Sequence, residues 1–218
     1  DSIKIPIGDN SHSFFSTLDC KQINDSEIDN PILIGPGLGN AKKTMNFTIK
    51  MLERIKKENH PCVLDASGFE PLYDKKIRIK DLPSKTVLTP HIGEFKRIFS
   101  EYDLDLNNPI VCCEKIVKTL DGRALVLKGP SSIIITSDRK ILIVNNSKSL
   151  LATAGSGDVL SGMILGLLSK GYNIDDASII GVYTHALISK IYYEKVSKHS
   201  MTAIDIINHL PIALNETF

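Results

Sequence analysis

Four short apolar runs, each stopping at a loop of glycine, proline or polar residues, constrain the fold of this chain more than anything else in it. Pro31-Ile32-Leu33-Ile34 runs into Gly35-Pro36-Gly37-Leu38-Gly39, and Cys62-Val63-Leu64 into Asp65. Thr86-Val87-Leu88 leads to Thr89-Pro90-His91-Ile92-Gly93-Glu94, and Ala124-Leu125-Val126-Leu127 to Lys128-Gly129-Pro130. Such runs, bounded by turn signals, have the pattern of strands buried on both faces. Helical patterns separate them, one from about Ala41 to Glu58 with Met45, Ile49, Leu52 and Ile55 inward and lysines outward, another near Val111 to Leu120. Ile133-Ile134-Ile135 and Ile141-Leu142-Ile143-Val144 flank Ser137-Asp138-Arg139-Lys140, which predicts a hairpin.

The last third is helical in pattern. A helix is expected to begin near Gly157, with Val159, Leu160, Met163, Ile164, Leu167 and Leu168 on one stripe, and a second runs from Asp176 to Val196. Thr202-Ala203-Ile204-Asp205 has the form of a capping box, with Asp for the usual Glu, and assigns Asp205 to starting a last helix rather than to chemistry. Residues 1–30 are weakly patterned and could supply a strand and a loop. Strands alternating with helices, then a run of helices, predict one α/β domain over residues 1–218. It would be layered, with a mostly parallel central sheet flanked by helices, and a β-hairpin.

Composition excludes more than it selects. The 218 residues are 42% hydrophobic and 23% charged, with a formal net charge of +1. No basic block calls for nucleic acid or an anionic membrane surface, and no apolar stretch is long enough to span a bilayer. The chain opens polar, without a visible signal segment. Four cysteines lack any C-x-x-C spacing and six histidines lack H-x-H or H-E-x-x-H, so reduced thiols, a cytoplasmic setting and no protein-ligated metal are expected.

Open parallel sheets bind ligands at the carboxyl ends of their strands, where the loops Gly35 to Gly39, Asp65 to Gly68, Thr89 to Glu94 and Lys128 to Ser132 all fall. The richest stretch is Thr153-Ala154-Gly155-Ser156-Gly157-Asp158-Val159-Leu160. Glycines at a helix start leave backbone N–H groups uncovered, and with the helix dipole these make a site for a phosphate or an oxyanion. A carboxylate there repels phosphate unless it has another task, such as taking a proton from an attacking hydroxyl, so Asp158 is the candidate base; the alternative is a glycine-rich turn with Asp158 capping the helix. Lys128 is placed to pair with phosphate or close over a nucleotide, with surface exposure as its alternative. His91 is a candidate substrate contact, and Glu94 a partner of the helix dipole. Gly37 and Gly39 permit close backbone approach. Together the parts suit phosphoryl transfer, with positioned phosphates, a cationic clamp and Mg²⁺.

Gly35-Pro-Gly-Leu-Gly39, Thr89-Pro-His-Ile-Gly-Glu-Phe95, Val126-Leu-Lys-Gly129 and Ala154-Gly-Ser-Gly-Asp-Val-Leu160 resemble, in order and spacing, the motifs of the NAD(P)H-hydrate dehydratases of the ribokinase-like superfamily. The likeness runs from about Ile32 to Pro211. It implies a ribokinase-like fold and an ADP- or ATP-dependent repair enzyme acting on the S epimer of hydrated NADH or NADPH. It also implies Mg²⁺, a homo-oligomer, and an NAD(P)H-hydrate epimerase in the same pathway. By that resemblance Gly37, Gly39, His91 and Asp158 contact substrate, Asp158 is catalytic, and Lys128, Gly129, Pro130, Ser131, Ser132, Gly155 and Gly157 contact the nucleotide. Three departures stand out. The family's first strand, glycine-rich turn and following helix have no counterpart, Ser147 to Leu150 replace its Gly-Asn-Pro-Gly, and Asp65-Ala66-Ser67 replaces Asp-Ala-Asp. A vitamin-precursor kinase of the same superfamily, or a catalytically silent nucleotide-binding relative, shares the Gly-Ser-Gly-Asp element.

Overall fold

A computed structural model describes residues 14–23, 30–145 and 149–217. Six strands form one sheet in sequential order: β1 (Ile32–Ile34), β2 (Cys62–Leu64), β3 (Thr86–Leu88), β4 (Ala124–Leu127), β5 (Ser131–Ile135) and β6 (Ile141–Asn145). The first four pair parallel, while β5 and β6 turn back antiparallel. The expected hairpin is therefore half of a three-strand meander, in which Gly129 and Pro130 connect β4 to β5.

Period-two alternation gives the central strands β2 to β5 two buried faces. Leu64, Leu88, Leu125, Leu127, Ile133 and Ile135 point into one core, and Val63, Val87, Ala124, Val126 and Ile134 into another. The helices of the parallel crossovers all cover the first face: α1 (Lys42–Glu58), the short α2 (Glu70–Tyr73), α3 (Ile92–Ile98) and α4 (Pro109–Ile116). Three crossovers on one face lay the parallel strands down in chain order. The second face is left for the C-terminal helices α5 (Ser156–Ser169) and α6 (Ile174–Lys195), with α7 (Ala203–Thr217) packed on both. Fully burying one such aliphatic side chain stabilises by about 1.5–3 kcal/mol, so both faces had to be covered.

Local rules set the helix ends. In α1 the buried stripe is wider than periodicity suggested: Phe47 and Met51 join Met45, Leu52 and Ile55, whereas Ile49 is half-buried. Asn59 closes that helix in the left-handed region at φ 56°. Helix α6 starts earlier than expected because the Asn173 side chain accepts from Asp175 N and Asp176 N. The Thr202–Asp205 capping box is present, Asp205 Oδ2 accepting from Thr202 N at 2.8 Å. The pattern near Val111 to Leu120 divides into α4, opened by Pro109 and the Asn108 cap, and a 3-10 turn from Val117 to Leu120. All four cysteines are buried free thiols, and burial pushes those of Cys62 and Cys113 up to about 12.

Most of the weakly patterned N-terminal segment, with its expected strand, lies outside the described residues, as do residues 146–148. Residues 14–23 lie against α1, with Cys20 buried in the first core and Phe15 against Phe47. Among the described residues no helix is long and apolar enough to cross a membrane.

The ends of β1, β2 and β3 are level, and β4 runs two residues farther. Ile34 pairs with Leu64, and Leu64 with Leu88. Backbone bonds then step along the edge beyond them: Asp65 N to Ile34 O (3.1 Å), Thr89 N to Leu64 O (3.1 Å) and Lys128 N to Pro90 O (2.8 Å). Gly35 and Gly68 let two of these loops touch backbone to backbone. A Cβ on Gly35 would stand 1.6 Å from Asp65 O, at a φ of 138°. Gly35→Ala is therefore expected to cost more than about 3 kcal/mol in urea unfolding, against about 1 kcal/mol for Gly37→Ala, whose φ is 75° but whose Cβ meets open space. Equal losses at the two positions would contradict this account of the strand-end packing.

Candidate active site at the strand ends

Helix α5 crosses β1 and β2 and brings its N-terminus to the carboxyl edge of the sheet. Gly155 enters it at φ 81°, a left-handed turn that glycine adopts without the steric cost of a Cβ. No side chain caps the helix. Ser156 N donates to Thr153 O and Val159 N to Gly155 O, while among the described residues the N–H groups of Gly157 and Asp158 find no acceptor. Asp158 lies exposed in the first turn. Its reading as a helix cap fails, because its carboxylate makes no capping bond.

Lys128 reaches this tip from the end of β4. Its Nζ lies 3.1 Å from where a Cβ on Gly157 would be, and it pairs with Asp65 Oδ1 at 2.8 Å. Its alternative as an exposed surface lysine therefore fails, since its side chain is 20% exposed and that of Asp65 1%. Asp65 Oδ1 also accepts from Ala66 N at 2.9 Å, and Oδ2 from Ser161 Oγ at 2.5 Å. Thr89 Oγ1 lies 3.3 Å from Ser161 Oγ. Ala66 sits at φ 46°, a left-handed strain of about 1–2 kcal/mol at the edge of the site.

His91 and Lys128 form an isolated parallel bridge, so the loop after β3 and the end of β4 are neighbours. The His91 side chain caps α3: Nδ1 accepts from Gly93 N (3.0 Å) and Glu94 N (3.3 Å), and Glu94 Oε2 accepts from His91 N (2.8 Å). With Nδ1 accepting, the neutral ring carries its proton on Nε2, which lies 3.5 Å from Glu94 Oε1. Glu94, expected as a dipole partner, is thus half of a capping box. His91 also lines a pocket of about 540 Å³ together with Gly39, Ser67, Glu70, Tyr73 and Arg97. The Arg97 guanidinium stacks 3.6 Å over the Tyr73 ring.

Lys128 thus meets Gly157, with Gly155 and Asp158 in the same turn and the His91 backbone beside Lys128, while Gly39 shares a pocket with His91. Gly37 is exposed and outside the pocket lining. Ser131 and Ser132 are ladder residues of β5, paired with Asn145 and Val144, rather than members of a free loop.

Sequence reading passed over Asp65, Ser161 and His185 as site residues. Asp65 was visible as an acid ending a buried strand, but its partners lie 63 and 96 residues away. His185 sits inside an apolar helix, 3.2 Å from Ser156 Oγ. Burial above all, and Lys128 to a lesser degree, push its pKa down to about 4, while its bond to Ser156 opposes the shift.

Comparison with known proteins adds four findings. A family model described as NAD(P)H-hydrate dehydratase matches residues 12–212. The bifunctional NAD(P)H-hydrate repair enzyme Nnr of Dictyoglomus turgidum is 32% identical over 186 residues, covering 85% of this chain and 35% of that protein. An ATP-dependent (S)-NAD(P)H-hydrate dehydratase of Ciona intestinalis is 33% identical over 137 residues, or 61% of this chain and 38% of that one. The chain thus spans about a third of the length of the curated relatives it matches. Among solved structures, the ADP/ATP-dependent NAD(P)H-hydrate dehydratase of Bacillus subtilis, co-crystallised with ATP/Mg²⁺, superposes with a TM-score of 0.68 at 24% identity. That match covers 87% of this chain and 65% of that one, and it shows the shared fold.

The buried imidazole generates a pH prediction. Its folded pKa of about 4 lies below the 6.5 of a free histidine, so between those values the unfolded chain binds more protons. The stabilisation is full above about pH 6.5 and fades as pH falls toward about 4. Urea unfolding of wild type against His185→Gln should show a stability difference that shrinks over that window. A pH-independent difference would contradict the neutral buried ring.

Proposed function

The chain belongs to the NAD(P)H-hydrate dehydratase family, and on that footing we propose that it dehydrates the S epimer of hydrated NADH or NADPH with ADP or ATP as phosphoryl donor. One observation carries the reading: an uncapped helix tip with two unpaired N–H groups lies between a preset lysine and an exposed carboxylate. Hydroxide is a poor leaving group, so the 6-hydroxyl must first become a phosphate ester. Asp158 takes the hydroxyl proton as the oxygen attacks the terminal phosphorus; the O–P bond to the substrate forms and the bond to the departing nucleotide breaks. The Gly157 and Asp158 N–H groups and Lys128 hold the charge on the transferring group. The lone pair of the ring nitrogen then expels phosphate from C6, and C5 gives up a proton to restore the ring double bond.

Mg²⁺ supplies charge neutralisation across the donor's phosphates. It usually keeps several waters and is bound through one or two carboxylates plus those phosphates. The donor's phosphates and water would carry the ion, so that Asp158 stays free as the base. We assign Gly37, Gly39 and His91, with Asp158, to contact with the hydrated cofactor, a reading supported for Gly39 and His91 by the pocket they share. We assign Gly129, Pro130, Ser131 and Ser132, continuous with Lys128, to the nucleotide together with Gly155 and Gly157.

Several wider readings go with this one. We place all of these functions in a single domain, in the cytoplasm, where four buried free thiols are at home. An epimerase supplying the S form is its pathway partner, in keeping with relatives named as bifunctional repair enzymes. Self-association as a homo-oligomer goes with this reading, since it would cover a sheet edge that is unpaired among the described residues.

Wild-type protein with nucleotide and Mg²⁺ is expected to restore the absorbance of reduced nicotinamide from its hydrate. Asp158→Asn should lower kcat by about a hundredfold or more and leave nucleotide affinity within a few-fold. Full activity in Asp158→Asn would refute the assignment, and a stable phosphorylated small-molecule product would point to a kinase instead.

A further inference from the structure

Two positive ends meet at the tip of α5. The helix dipole places partial positive charge there, and the Lys128 ammonium sits over Gly157. A lysine is a strongly hydrated charge on a flexible stem, so beside a helix N-terminus it swings into water unless a counter-charge holds it. Asp65 is that counter-charge. Its carboxylate is fixed in turn by Ala66 N, Lys128 Nζ and Ser161 Oγ. Ser161 stands four residues after Gly157 and therefore on the same face of α5. The helix that presents the tip also grips the acid that holds the lysine over it. His185, packed beside Ser156 and kept neutral by burial, spares the tip a third positive charge.

We propose that Asp65 and Ser161 are positioning residues for the phosphoryl donor. They hold the Lys128 ammonium at the tip of α5, so that the phosphates of a nucleoside di- or triphosphate meet a preset cation together with the Gly157 and Asp158 N–H groups. The inference rests on the reading that a nucleotide binds at this tip, and it assigns to Asp65 a task that simple charge counting opposes. An acid near a phosphate site should weaken binding, whereas here its removal releases the cation.

The test is calorimetric titration of ADP, and of a non-hydrolysable ATP analogue with Mg²⁺, into wild type, Asp65→Asn, Ser161→Ala, Lys128→Met and the Asp65→Asn/Lys128→Met pair, each with a melting curve. Asp65→Asn should weaken nucleotide binding by about tenfold or more. Ser161→Ala, which keeps the charge and loses one bond to it, should weaken binding by a smaller factor. The paired variant should bind within about twofold of Asp65→Asn alone, since both have lost the same cation. That comparison decides the matter even where Lys128→Met, with a buried acid left alone, does not fold. Nucleotide binding in Asp65→Asn as tight as wild type or tighter would overturn the proposal. So would a further tenfold loss on adding Lys128→Met, and so would a lower melting temperature with unchanged affinity, the mark of a purely structural acid. Wild type that binds no nucleotide overturns it as well. Turnover of hydrated NADH is assayed separately: wild type that binds nucleotide without dehydrating would sink the dehydratase reading and leave the binding series to judge Asp65.

Discussion

A carboxylate that is almost wholly buried needs its charge answered on the spot, and at Asp65 the answer joins three distant parts of the chain. Lys128 comes from the end of β4, Ala66 from the loop after β2, and Ser161 from the second turn of α5. Removing one partner of a buried ion pair costs about 3–5 kcal/mol, which is comparable with the whole stability of many domains. The pair therefore works as a constraint rather than a net source of stability. It fixes how the helix tip sits over the strand ends, and the phosphoryl transfer proposed for the tip depends on that seating.

The sheet makes the constraint possible. Its four parallel strands end along one edge, so residues far apart in sequence reach the same place. Glycine at positions 35 and 68 lets the loops close there with backbone against backbone. The two apolar faces are covered from opposite sides by helices of different origin, crossovers on one and the C-terminal run on the other. Helix α5 belongs to the second set, which is why its tip meets the edge from across the sheet and not from a neighbouring loop. Ser156 against His185 and Gly155 against Ala203 then brace the tip from α6 and α7.

Much of this was legible in the residues. Strands β2, β3 and β4 needed only a short apolar run and a turn signal, because a strand buried on both faces writes its limits into composition. The tip was legible too, since Gly155, Gly157 and Asp158 are neighbours in sequence and glycine there has few other uses. The region from Ala66 to Asp81 was not, because its 3-10 turns and the four-residue α2 carry no period. The pairing of Lys128 with Asp65 was equally hidden, as its 63-residue separation is closed only by the sheet register. His91 shows a subtler limit. Its place at a loop end was readable, but its Nδ1 and its backbone N–H are committed to the α3 capping box and its carbonyl to Phe95 N, so only Nε2 is left outside the cap.

If the α5 tip receives phosphate between Lys128 and Asp158, as proposed, a crystal structure of the protein with a non-hydrolysable ATP analogue and Mg²⁺ will show phosphate oxygens within hydrogen-bonding distance of Gly157 N, Asp158 N and Lys128 Nζ, with the Lys128–Asp65 pair intact. Phosphates bound elsewhere, with the tip left bare, would refute that assignment.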